Sequence, residues 1–118
     1  MKEIRFFTTA SGRCPVQEAF DDLPDKTVQK IVWVLRVVRD LERVPANYFK
    51  KLVNTNDIWE VRVDVGHDAF RLLGFFDGRE FLVLTSLFQK KTQQTPPAEI
   101  RLAEERKADY LRRRLGHG

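Results

Sequence analysis

The stretch Trp59-Glu-Val-Arg-Val-Asp-Val-Gly-His-Asp-Ala-Phe-Arg-Leu-Leu-Gly74 decides the fold. Apolar and polar residues alternate on both sides of Gly66-His67, with the period of two half-buried strands. A turn centred there sets Val61 opposite Leu72, Val63 opposite Phe70, and Trp59 over Gly74, all on one face. The other face receives Glu60, Arg62 and Asp64 opposite Leu73, Arg71 and Ala69. Arg62 therefore faces Arg71. Like charges set directly opposite cost a few tenths to about 1 kcal/mol unless something neutralises them. Guanidinium forks match phosphate oxygens, so the pair is a candidate anion site.

Working outward, Asp77-Gly78 is a two-residue hairpin signal. It predicts strands from Ile58 to Val65, Ala69 to Phe76 and Glu80 to Phe88, with Leu72 opposite Val83, Gly74 opposite Phe81 and Phe70 opposite Thr85. Trp59, Val61, Val63, Phe70, Leu72, Phe81 and Val83 then form one apolar surface. A helix predicted from Lys26 to Arg43 is its partner. Val28, Ile31, Val32, Leu35 and Val38 recur there at helical spacing, and Val34, Val37 and Leu41 widen the arc. Trp33, at the edge of that arc, reads as a core margin, with a partner-docking surface as the alternative. A strand from Lys2 to Thr9 precedes a short helix that Pro15 opens, striped by Val16, Ala19, Phe20 and Leu23. Tyr48 to Leu52 links the long helix to the sheet. The final helix, from Ala98 to Arg114, is charged, with a thin stripe of Ile100, Ala103, Tyr110 and Leu111. Arg112 to Arg114 read as a solvated helix end, and Leu115 to Gly118 as a frayed tail.

With 118 residues, 42% hydrophobic and 32% charged, the chain fits a single domain, 1–118, around an adequate core. Its net charge of +4 favours a polyanionic partner. One cysteine, Cys14, excludes an intramolecular disulfide and a Cys-rich metal site; with no His or Asn close by in sequence, it reads as a packing residue. No long apolar run or signal-peptide core is present, so the expected location is the cytoplasm, without membrane association. No metal or other cofactor is expected, because zinc spacings, Walker loops and Gly-rich dinucleotide motifs are all missing.

A cluster of chemistry-bearing residues shares the Arg62/Arg71 face. Leu84, Ser86, Phe88 and Lys90 continue its parity on the last strand, with Ser86 expected opposite Ala69 and Phe88 near His67. Cations to hold phosphate, a hydroxyl and a ring to stack on a base suit RNA on an open surface. The alternative is a solvated face on which Arg62 bridges to Glu60 or Asp64. With the arginines exposed and repelling one another, Arg71→Ala is expected to be neutral or slightly stabilising. Metal-independent RNA cleavage also needs a base for the 2′-hydroxyl and an acid for the leaving oxygen. His67 lies in a turn and His117 in the tail, so no base stands out; Lys90 serves only if its pKa is depressed. An incomplete set points to a partner that aligns the substrate.

These residues resemble the RelE/ParE toxin superfamily, specifically its HigB-type, phage-derived branch of type II toxin–antitoxin pairs. The matching text is Ile58-Trp-Glu-Val-Arg62, Phe70-Arg71-Leu-Leu, Leu87-Phe-Gln-Lys-Lys-Thr-Gln-Gln-Thr-Pro96, Glu99-Ile, and Ala103 to Arg106, in order and spacing from about residue 13 to 111. The resemblance implies an α+β fold: an N-terminal strand and helical hairpin packed on a mostly antiparallel sheet, with a C-terminal helix. It implies a ribosome-dependent mRNA endonuclease that inhibits translation and is silenced by a cognate antitoxin, often a helix-turn-helix protein. The family's basic active-site positions map onto Arg62, Arg71 and the Lys90-Lys91 pair. With the reading of the face itself, this makes Arg62, Arg71 and Lys90 the candidate catalytic cations and Phe88, Lys91, Ser86 and His67 the candidate RNA contacts. A gyrase inhibitor of the ParE kind and a non-catalytic protein-binding module remain alternatives.

Overall fold

The computed structural model describes residues 2–116. In chain order the elements are β1 (Glu3–Phe6), α1 (Pro15–Asp21), α2 (Asp25–Asp40), β2 (Phe49–Lys51), β3 (Trp59–Val65), β4 (Asp68–Asp77), β5 (Phe81–Lys90) and α3 (Pro97–Gly116). The strands form one sheet in the order β1-β5-β4-β3-β2, antiparallel except for β1, which runs parallel to β5. This is the expected α+β architecture. The segment read as a link is a short edge strand, β2, paired with the start of β3. The long helix ends at Asp40, three residues early, and leaves Leu41 45% exposed. His117 and Gly118, in the expected frayed tail, lie outside the described residues.

The β3–β4 hairpin has the expected register at every position, from Trp59 opposite Gly74 to Val65 opposite Asp68. Gly66 sits at φ 62°, the positive value that a type II′ turn requires at its first central residue.

The β4–β5 hairpin differs. Asp77 pairs with Phe81, so three residues, Gly78-Arg79-Glu80, connect the strands rather than two. That odd shift turns the first half of β5 over. Phe81 and Val83 do not face α2; Leu82 and Leu84 do, and Leu84 therefore leaves the Arg62/Arg71 face. A β-bulge at Thr85, between the pairs Gly74–Leu84 and Leu73–Ser86, restores the parity. Leu72 is thus opposite Leu87, and Phe70 opposite Gln89, in place of the expected Val83 and Thr85. Phe81-Leu-Val-Leu84 is apolar in both parities, so alternation could not reveal the shift. Thr85 is fully buried, and its hydroxyl donates to the Leu73 carbonyl at 3.2 Å. A Cβ at Gly74 would collide with the Val83 carbonyl oxygen. Gly74→Ala is expected to cost about 1–3 kcal/mol by forcing the two backbones apart, measurable by urea denaturation.

Two cores result. On one face, α1 and α2 bury Val16, Phe20, Ile31, Val34, Leu35 and Val38 against Val61, Val63, Phe70, Leu72, Leu82 and Leu84. Trp59 stacks on Phe49 at 4.7 Å and meets Phe76 edge-on. Trp33 is 47% exposed, edge-on to Tyr48 with Lys30 over its ring. It is a core margin that still presents half its surface.

On the other face, α3 packs Ala103, Ile100 and Tyr110 over Leu73, Phe75 and Val83, joined by Phe7 and Ile58. The expected open surface is therefore half covered. The thin stripe of α3 suffices because polar groups anchor the helix as well. Tyr110 donates to Asp77 at 2.7 Å, Arg106 donates to the Thr85 carbonyl at 2.7 Å, and Arg114 pairs with Asp77. Burial foremost, and then the bond to Asp77, raises the Tyr110 pKa above the ordinary phenol value.

Candidate functional site

Arg62, Arg71 and Phe88 lie in one row across β3, β4 and β5, and Asp64, Ala69 and Lys90 in the next. The bulge makes this row: without it, Phe88 would not share the face of the arginines. Phe88 is thus directly opposite Arg71 rather than beside His67, and Ser86 is opposite Leu73 rather than Ala69. The β3–β4 turn and the loop after β5 flank an open hollow of about 510 Å³. It is lined by His67, Asp68, Gln89, Lys90, Lys91 and Gln93, so two lysines outweigh one carboxylate. His67 and Lys91 are exposed and Lys90 half-buried. Three of the residues singled out from the sequence therefore share one open, cationic hollow.

The facing arginines are neutralised from within. Glu60, only 3% exposed, lies 3.5 Å from Arg62 Nε and 3.6 Å from Arg71 Nε. The Thr95 hydroxyl donates to the same carboxylate and ties the loop after β5 to the sheet. Arg71 also lies 3.7 Å from Asp64 and donates to the Phe70 carbonyl at 2.9 Å. Its side chain is buried, and its Nε has no hydrogen-bond partner. The expectation of two exposed, mutually repelling arginines is corrected: Arg62 is partly exposed, whereas Arg71 is a buried member of a charged network. Truncating Arg71 consequently relieves nothing and strips a buried carboxylate of one of its cations.

Ser86 is also buried, and it accepts a hydrogen bond from Arg106 at 3.1 Å. Its hydroxyl is engaged inside the fold rather than presented to solvent. Burial lowers the Arg106 pKa, opposed by Glu99. Sequence reasoning passed over Arg106 and the Thr95 clamp. It offered Glu60 only as a partner for Arg62, not as the charge shared by both arginines. The spacing Glu60-x-Arg62 was the available signal, because residues two apart on a strand share a face. Cys14 is a free, half-buried thiol just ahead of α1.

Among the described residues, no three His, Cys, Asp or Glu side chains are grouped to hold a metal ion. No helix there is long and apolar enough to cross a membrane. A family model described as "Phage derived protein Gp49-like (DUF891)" matches residues 18–108, from within α1 to within α3. A search of curated proteins returned no match. The family is of the RelE/HigB toxin type, consistent at a coarse level with the toxin of a toxin–antitoxin pair. The match covers more than three quarters of the chain, including β2 to β5 and the cationic hollow between them, and the chain belongs to the Gp49-like phage-derived family.

Proposed function

We propose that this chain is the toxin of a type II toxin–antitoxin pair and cleaves ribosome-bound mRNA without a metal. The observation that carries this reading is the hollow walled by His67, Lys90 and Lys91 beside the Arg62–Arg71–Phe88 row. Family membership supports the toxin role and an antitoxin partner. Arg62 and Lys90 hold the scissile phosphate and stabilise its developing charge. Phe88 stacks on a base, and Lys91 and His67 contact the strand. Arg71 and Glu60 act beneath them: the shared carboxylate fixes the direction of Arg62, and Arg71 holds that carboxylate in place. The ribosome aligns the 2′-hydroxyl for attack on the phosphate held there. An acidic or amphipathic antitoxin segment complements the positive charge.

The test is mRNA-end mapping in a translating extract. Lys90→Ala is expected to slow cleavage on the order of 100-fold, by analogy with loss of one preorganised charge-stabilising donor, with unchanged thermal unfolding. Cleavage at the wild-type rate would remove Lys90 from the site. Absence of cleavage by the wild type, with gyrase-linked DNA breaks instead, would replace the reading with gyrase inhibition.

A further inference from the structure

We propose that the cleft between the end of α1 and the free margin of β5 is a nucleobase pocket that favours bases bearing an exocyclic amino group; it rests on the reading of the neighbouring hollow as an RNA site. β1 pairs with β5 only as far as Leu84. Beyond that point, at the end of α1, a pocket of about 180 Å³ opens. Its walls are Ala19, Leu23, Phe70, Leu87 and Phe88, and its polar rim is Asp22 and Gln89.

Apolar and aromatic walls with a few directed polar groups are the usual make-up of a small-ligand site, and this one is sized for a single heterocycle. Continuity with the cationic hollow argues for a nucleotide. Gln89 lines both cavities, Lys90 and Lys91 follow it on the hollow's side, and Phe88, in the pocket wall, lies opposite Arg71. A nucleotide whose phosphate sits on the lysines has its base at this opening.

The rim sets the preference. Asp22 is exposed, and its backbone N–H closes α1 on the Ala19 carbonyl at 3.2 Å, leaving the carboxylate as an acceptor. Gln89 donates one amide N–H to Asp68 at 3.1 Å, which sets the orientation of the amide and leaves its carbonyl oxygen and second N–H for a ligand. The Asp22 carboxylate accepts from the amino groups of adenine, cytosine or guanine, whereas uracil offers a single N–H flanked by two carbonyl oxygens that the carboxylate repels. An apolar side chain from a protein partner would fill the walls but make no use of the rim's polar groups.

The experiment titrates the full-length protein with AMP, CMP and UMP by NMR and maps mRNA ends in a translating extract. The wild type is expected to bind AMP or CMP roughly tenfold more tightly than UMP. Asp22→Asn should erase that preference while leaving nucleotide binding. Ala19→Leu, which fills the pocket, should abolish binding of all three; Asp22→Asn keeps the test decisive if Ala19→Leu fails to fold. Equal binding of the three nucleotides, or a preference that survives Asp22→Asn, would overturn the proposal. So would an Ala19→Leu variant that folds and binds nucleotides normally but loses antitoxin. Base-selective binding without mRNA cleavage would leave the pocket standing and overturn only the nuclease reading.

Discussion

Phe75→Ala is expected to destabilise the protein by about 4 kcal/mol, the middle of the range for truncating a buried aromatic residue. Phe75 is fully buried at the centre of the second core, opposite Val83 and edge-on to Tyr110 with ring centroids 5.3 Å apart. Lys107 lies 5.8 Å from the same ring. The sheet beneath is rigid, so α3 would have to sink to fill the space. Its bonds from Tyr110 to Asp77 and from Arg106 to Thr85 oppose that movement. Urea denaturation gives the stability, and amide exchange along α3 should show the helix opening before the rest of the fold. A loss under about 1 kcal/mol, with α3 as protected as before, would mean that the second core is not what holds the helix.

Glu60→Gln is expected to cost about 3 kcal/mol, because breaking a buried ion pair leaves a charge without compensation. The substitution keeps the shape and a hydrogen bond for Thr95 but removes the charge shared by Arg62 and Arg71. Arg71 would then retain only Asp64, an exposed carboxylate at 3.7 Å, as a counter-ion. The double variant Glu60→Gln/Arg71→Met should recover part of the loss, since it removes the stranded guanidinium while retaining an apolar side chain. Additive losses in the two single variants would show that the residues do not interact, and Arg71 would lose its assigned role under the hollow.

Both experiments concern contacts that only the folded chain completes, although the Glu60-x-Arg62 half of the second is written in the sequence. The register of β3 and β4 was legible because Trp59, Val61 and Val63 alternate with polar residues and Gly66-His67 permits only one centre. The α2 stripe was legible for the same reason at helical period. In β5 the alternation fails, because residues 81–84 are all apolar and both faces of that half-strand are buried. The three-residue turn and the bulge each shift the parity by an odd step. The second cancels the first, so Ser86, Phe88 and Lys90 reached the expected face through a different register.

The same division holds for the site. The types and order of its charges, from Glu60-x-Arg62 through Arg71 to Lys90-Lys91, are properties of the chain, and so are the motifs that carry the family resemblance. Which charges meet solvent was decided by packing. A helix as charged as α3 reads as solvated, yet Ala103 lets it approach closely, and Arg106 and Tyr110 reach polar groups that only the folded sheet brings beneath them. Alternation and spacing act between near neighbours and are written in the sequence. The burial of Arg71, the engagement of Ser86 and the Thr95 clamp on Glu60 depend on surfaces that meet only after the chain has folded, and only the tertiary structure could decide them.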